Sequence, residues 1–122
     1  MPDAPTPEEM RALQARLRHV RCVELTAWLA EGRPCSVLDV RTEEEFHARH
    51  IPGATLVPLH ELEARVDEVL SLPGPLVVHC EHGVRSVQAS LFLLWEGRDD
   101  VHNLAEGLAA WSGPTAHGRS SP

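Results

Sequence analysis

The chain has 122 residues, 43% of them hydrophobic and 24% charged, with a formal net charge of −7. A chain of this size buries roughly two-thirds of its unfolded surface around one core, and its composition excludes disorder or a collagen-like repeat over most of its length. The acidic balance and the absence of a Lys/Arg run exclude nucleic acid and an anionic membrane as expected partners.

No window of 18 consecutive apolar residues is present, so no transmembrane helix is predicted. The first residues, Met1-Pro2-Asp3-Ala4-Pro5-Thr6-Pro7, have neither the cationic start nor the apolar stretch of a secretory leader, so a cytoplasmic location is expected.

Short apolar runs alternate with amphipathic stretches, the pattern of an α/β domain with a mostly parallel five-stranded sheet. Thr6-Pro7-Glu8-Glu9 combines a capping hydroxyl, a proline at the first helical position and a glutamate three residues after the cap. It predicts a helix to about Arg18, with Met10, Leu13 and Leu17 as its apolar stripe. A brief strand at His19-Val20 precedes a helix from about Val23 to Glu31, whose inward face is expected to be Val23, Ala27, Trp28 and Leu29. Ser36 to Val40 reads as a buried strand, and Thr42-Glu43-Glu44-Glu45 repeats the capping box ahead of a short helix carrying Phe46.

Ile51-Pro52-Gly53-Ala54 is a turn, Thr55-Leu56-Val57 a strand, and Leu59 to Leu70 a helix with Leu62, Val66, Val69 and Leu70 on one face. Pro73-Gly74-Pro75 breaks that helix before the buried strand Leu76-Val77-Val78. A helix from Val87 to Trp95, a fifth strand over Val101 to Leu104 and a short helix from Gly107 to Trp111 complete the order. The residues after Ser112 are Gly, Pro, Thr, Ser and other small or polar types, and are expected to fray. The implied division is a helical extension over 1–18, a domain over 19–112 and a flexible tail over 113–122.

Of the three cysteines, Cys22 and Cys35 read as small buried or half-buried hydrophobes. Cys80 differs because it lies at the seam between a buried strand and a loop that runs Glu81-His82-Gly83-Val84-Arg85-Ser86 into a helix start. Free backbone N–H groups and the positive end of a helix dipole favour an anion there, and a cysteine in such a place ionises well below its ordinary pKa of ~8.5. Gly83 permits a left-handed backbone that turns successive N–H groups inward, and Arg85 adds a cation with fork geometry. In open α/β sheets ligands bind at the carboxyl ends of the strands, the edge to which Asp39 and Arg41 also belong.

Four stretches together resemble the rhodanese family of single-domain sulfurtransferases: Asp39-Val40-Arg41 with Glu45-Phe46, the turn His50-Ile51-Pro52-Gly53-Ala54, the loop Cys80 to Ser86, and Val101 to Trp111. The resemblance covers about residues 19 to 112. It implies a three-layer rhodanese-like fold and a Cys80 thiolate that takes sulfane sulfur from thiosulfate or a persulfide, then passes it to a thiol, cyanide or a protein acceptor. A sulfur-carrier or desulfurase protein is an expected partner, and no cofactor is implied. Glu81, His82, Gly83, Val84, Arg85 and Ser86 would bind substrate, with Arg85 either orienting an anionic donor or held in a structural ion pair. Asp39 and Arg41 read as a supporting pair.

Arg49 and Glu106 stand where the family usually has glycine, and Arg98 where an aromatic is common. Two other readings stay open. Dual-specificity phosphatases and arsenate reductases of similar fold use a cysteine-to-arginine loop one residue longer than the four intervening residues here, and some rhodanese-like domains serve as binding modules without catalysis. The eight histidines do not form a metal ligand set with carboxylates or a second cysteine, since Ile51-Pro52 ends the helix after His47 and His50. His79 is expected to be a satisfied core histidine.

Overall fold

The computed structural model describes residues 4–118. Helix α1 (Pro7–Arg16) opens with the predicted capping box, Thr6 accepting from the N–H of Glu9 and Glu9 from that of Thr6. Strands β1 (Arg18–Val20), β2 (Ser36–Asp39), β3 (Thr55–Leu56), β4 (Leu76–His79) and β5 (Val101–Leu104) follow with helices between them. The sheet is parallel throughout, in the order β1-β5-β4-β2-β3. Strands β2 and β4 are central neighbours, in register with Asp39 opposite His79. The loops leaving these two strands therefore emerge side by side.

Successive side chains on the central strands point to opposite faces, and each face has its own apolar layer. Leu38, Val40, Leu76, Val78 and Cys80 pack with Leu13 and Leu17, with Val69 of α4 (Val66–Leu70), and with Ala89 and Leu93 of α5 (Val84–Trp95). Val37, Val77 and Leu104 pack on the other face with Cys22 and Leu25 of α2 (Cys22–Ala30), Phe46 of α3 (Glu43–Ala48), Leu108 and Trp111. Helices on both faces of a parallel sheet make three layers.

Several boundaries differ from the predicted ones. Helix α2 begins at Cys22, one residue early, and its buried positions are Cys22 and Leu25, with Leu29 half-buried on the same stripe. Val23 is 66% exposed and Ala27 is also exposed, and Trp28 is half-buried, with the Arg33 guanidinium 4.3 Å over its ring. Between Leu59 and Leu70 the expected single helix is a 3-10 turn at Leu59–Glu61 and then α4. The N–H of Leu59 donates to the carbonyl of Val40, anchoring the segment to the sheet edge, and the N–H groups of Glu61 and Leu62 close back on Pro58 and Leu59 in the tighter i to i−3 pattern. Leu70, expected on the inward face, is 37% exposed.

Helix α5 starts at Val84 rather than Val87, and places Arg85 and Ser86 in its first turn. The segment after Ser112 is tied down up to Gly118: Ala116 pairs with His50, the N–H of Gly118 donates to His47, and Trp111 Nε1 donates to Pro114. The rest of the expected tail lies outside the described residues.

Candidate active site

Strand β4 ends at His79, and the next residue, Cys80, is buried at the floor of a turn that closes directly into α5. Gly83 caps that helix with φ of 91°, the left-handed region in which a side chain is disfavoured. A Cβ there would also lie 2.7 Å from the carbonyl oxygen of Ala105. This conformation turns the N–H of Gly83 onto Cys80 Sγ at 3.1 Å, and the first turn of α5 brings the N–H of Ser86 to 3.3 Å. The sulfur sits in a nest of helix-start donors.

Burial pushes the Cys80 thiol up, but the Ser86 hydroxyl and N–H and the N–H groups of Gly83 and His82 outweigh it, leaving the thiol below its ordinary value. The other two thiols move the opposite way. Cys22 is pushed up to about 11 by burial and then by the Glu106 carboxylate, and Cys35 is raised by burial. Cys80 is thus the described cysteine whose surroundings favour the thiolate.

The Cys80 thiol donates to Ser86 Oγ at 3.4 Å, and that hydroxyl places its one proton on Oδ1 of Asn103, so it must turn to Sγ to serve the thiolate; Asn103 is a buried residue of β5 whose amide nitrogen meets His19 Nδ1 at 3.2 Å. Asn103 lies outside the site residues that the sequence marks, although a polar residue inside the run Val-His-Asn-Leu needs a buried partner.

Gly107 has φ of 72°, and a Cβ on it would fall 2.3 Å from the carbonyl oxygen of Glu81. The N–H groups of Leu108 and Ala109, in the 3-10 turn Leu108–Ala110, donate to the carbonyls of Cys80 and Glu81 at 2.9 Å each. The segment after β5 is therefore a brace under the loop.

Asp39 and Arg41 form a buried pair, with the Asp39 carboxylate accepting from Nε at 3.0 Å and from Nη2 at 2.8 Å. The remaining donors of Arg41 reach the Arg49 carbonyl and, at 3.1 Å, Oε1 of Glu81. Glu81 is half-buried and His82 exposed, and Val84 is 73% exposed at the rim. Arg85 spends both ends of its guanidinium on Glu45, at 2.7 and 2.9 Å. Glu45 is held at about 2, chiefly by Arg85 and, against some burial, by the N–H of Thr42.

The expectation of a satisfied His79 is met on one side only. Its Nδ1 approaches the Cys80 carbonyl at 3.2 Å, while Nε2, 3.4 Å from Asp39 Oδ2, is not aligned to hydrogen-bond. Burial holds this imidazole below its ordinary value. Among the described residues no group of three or more His, Cys, Asp or Glu is placed to hold a metal ion.

The residues that replace expected glycines are used. Arg49 has φ of −171°, extended backbone open to any residue, and its Nη2 donates to Leu108. Glu106 accepts the N–H of Cys22 at 2.7 Å at the start of α2. Arg98, where an aromatic is common, donates to the carbonyls of Val69 and Leu72 and pairs with Asp100.

The rhodanese-like domain family matches residues 22–114. The chain is 35% identical over 81 residues to the uncharacterized protein YqhL of Bacillus subtilis, an alignment spanning 66% of this chain and 64% of that protein. It is 32% identical over 83 residues to the thiosulfate sulfurtransferase GlpE of Shewanella oneidensis, spanning 68% of this chain and 81% of that one. A crystal structure of a rhodanese-like domain protein from Staphylococcus aureus superposes with a TM-score of 0.71 at 28% identity, covering 80% of this chain and 93% of the other. A parallel three-layer fold, a thiol nested at the seam of β4 and α5, and a family match over most of the length lead to one conclusion: the chain belongs to the rhodanese-like domain family.

Proposed function

We propose that this protein is a sulfurtransferase in which Cys80 is the nucleophile and carries the transferred sulfur as a persulfide. The observation that carries this reading is the pair of backbone N–H groups, from Gly83 and Ser86, that converge on Cys80 Sγ. The Cys80 thiolate attacks the outer sulfur of a sulfane donor. The donor's S–S bond breaks, and its electron pair leaves with sulfite from thiosulfate or with a thiolate from a persulfide or polysulfide. An acceptor thiolate or cyanide then attacks the terminal sulfur, and the Cys80 thiolate is released as the leaving group.

The N–H nest serves both steps, because negative charge sits on or next to Sγ before and after transfer. Covalent catalysis of this kind divides one difficult transfer into two easier ones. Gly83 supplies the turn, Ser86 its N–H and hydroxyl, and Glu81, His82, Val84 and Arg85 form the rim that a donor meets. Asp39 and Arg41 support the loop through Glu81. A small-molecule sulfur donor, a thiol or cyanide acceptor, and a sulfur-carrier or desulfurase protein are the proposed partners, with the cytoplasm as the proposed location.

The test is turnover across a panel of sulfane donors and thiol, cyanide and protein acceptors, with Cys80→Ser as control. Transfer is expected in the native chain and at background level in Cys80→Ser, whose thermal melt should match that of the parent. Transfer persisting in that variant would sink the mechanism. The binding-module alternative predicts no turnover with any donor, and the phosphatase alternative predicts phosphate-ester hydrolysis at rates comparable with thiosulfate turnover.

A further inference from the structure

The two guanidinium groups that flank the loop are both occupied. Arg41 is buried, with Asp39 on one side and Glu81 on the other, and Arg85 is gripped by both oxygens of Glu45. Two cations thus face three carboxylates, and the Cys80 thiolate adds a fourth negative charge, so this cluster has a net charge of about −2. The N–H groups of Gly83 and Ser86 point at Cys80 Sγ itself. Val84, 73% exposed between Gly83 and Arg85, puts apolar surface at the rim.

Building on the sulfur-transfer reading, we propose that Glu81 and Glu45 set donor choice: by occupying Arg41 and Arg85 they disfavour dianionic thiosulfate and select an organic persulfide of low charge. With thiosulfate, the Cys80 thiolate takes the outer sulfur, the S–S bond breaks and sulfite leaves with the electron pair, so a dianion must both enter and depart past like charge. With a neutral hydropersulfide, R–S–SH, the thiolate takes the SH sulfur, R–S⁻ leaves with the pair, and the proton stays on the new Cys80 persulfide. The reacting form of that donor enters uncharged, and its ionised form and its leaving thiolate each carry one charge where thiosulfate and sulfite carry two, so the repulsion is smaller at both steps, and its organic group can lie on Val84.

The experiment measures kcat/KM for thiosulfate and for the persulfide of 2-mercaptoethanol in the native chain, Glu81→Gln and Glu45→Gln, with sulfur on Cys80 followed separately by mass spectrometry. Glutamine keeps the hydrogen-bond acceptor facing each arginine and removes the charge. The native chain should prefer the persulfide, and each variant should raise the thiosulfate-to-persulfide ratio by about fivefold, the factor for one negative charge removed ~8 Å from a dianion in water.

Raising the salt from ~0.01 to ~0.15 M should speed thiosulfate turnover by the native chain through screening of like charges. Donor ratios unchanged in both variants, or native thiosulfate turnover falling with salt, overturn the inference while leaving sulfur transfer standing. Absence of sulfur on Cys80 with either donor overturns the transfer reading and the inference with it.

Discussion

At Cys80 two opposed effects meet on one atom. Burial favours the thiol, hydrogen bonds from Ser86, Gly83 and His82 favour the thiolate, and the second group wins. Titration of thiolate absorbance in a chain whose Cys22 and Cys35 are replaced by alanine should give a midpoint below the ordinary thiol value of ~8.5. Ser86→Ala should raise that midpoint by removing the hydroxyl, whose one proton rests on Asn103 Oδ1 beside the thiol and turns to Sγ when the thiolate forms. A midpoint that does not move would show that the hydroxyl contributes nothing to the sulfur. The sign for stability follows. Because the folded value is depressed, thiolate formation stabilises the fold above the unfolded thiol's pKa, and this contribution is lost as pH falls through the folded value.

At the scale of elements, the loop is held in place by neighbours that brace it. The Glu45 carboxylate caps α3 and bridges to Arg85 in the first turn of α5. Its value of about 2 means that this stabilisation is present above the unfolded value of about 4.5 and is lost as pH falls through about 2. The pair is about one-third exposed. Solvent screening therefore reduces its worth, and Glu45→Gln should cost about 1–2 kcal/mol at pH 7 in urea denaturation, with a flatter acid limb than the native chain.

Gly107→Ala faces backbone atoms of Glu81 and His82 under 3.0 Å away, at a φ that L-residues avoid. It should cost at least ~1–3 kcal/mol and abolish transfer by displacing the loop. Unaltered stability and turnover in that variant would remove the brace from the account.

The strands, the capping boxes and the loop around Cys80 were legible because each is a local signal: an apolar run, a hydroxyl three residues before a glutamate, a cysteine ahead of a glycine and an arginine. The face of α2 and the break after Leu59 were not. The first turns on which side of α2 the sheet covers, with Glu106 reaching from across the fold to the N–H of Cys22, and the second on the 3-10 closure at Pro58 and Leu59 in a segment anchored to the carbonyl of Val40. The partners of Arg85 and Asn103 lie 40 and 84 positions away in the chain. Such pairings are set by the sheet order and have no local signature.

For the molecule as a whole, the N-terminal helix is part of the core: Leu13 and Leu17 pack in the same apolar layer as Cys80 and α5. Leu13→Ala should therefore cost ~2–4 kcal/mol in denaturant unfolding, a cost that an extension packed on nothing would not show. The net charge of −7 adds a long-range field that favours basic over acidic protein acceptors, an effect that should weaken as salt is raised.

Sulfur transfer through Cys80 is tested most directly by weighing the intact chain after exposure to a sulfane donor, then mapping the added mass by peptide. One additional sulfur atom on Cys80, absent in Cys80→Ser and removed by cyanide, is the predicted result. No added sulfur, or sulfur found on Cys22 or Cys35 and not on Cys80, would contradict it.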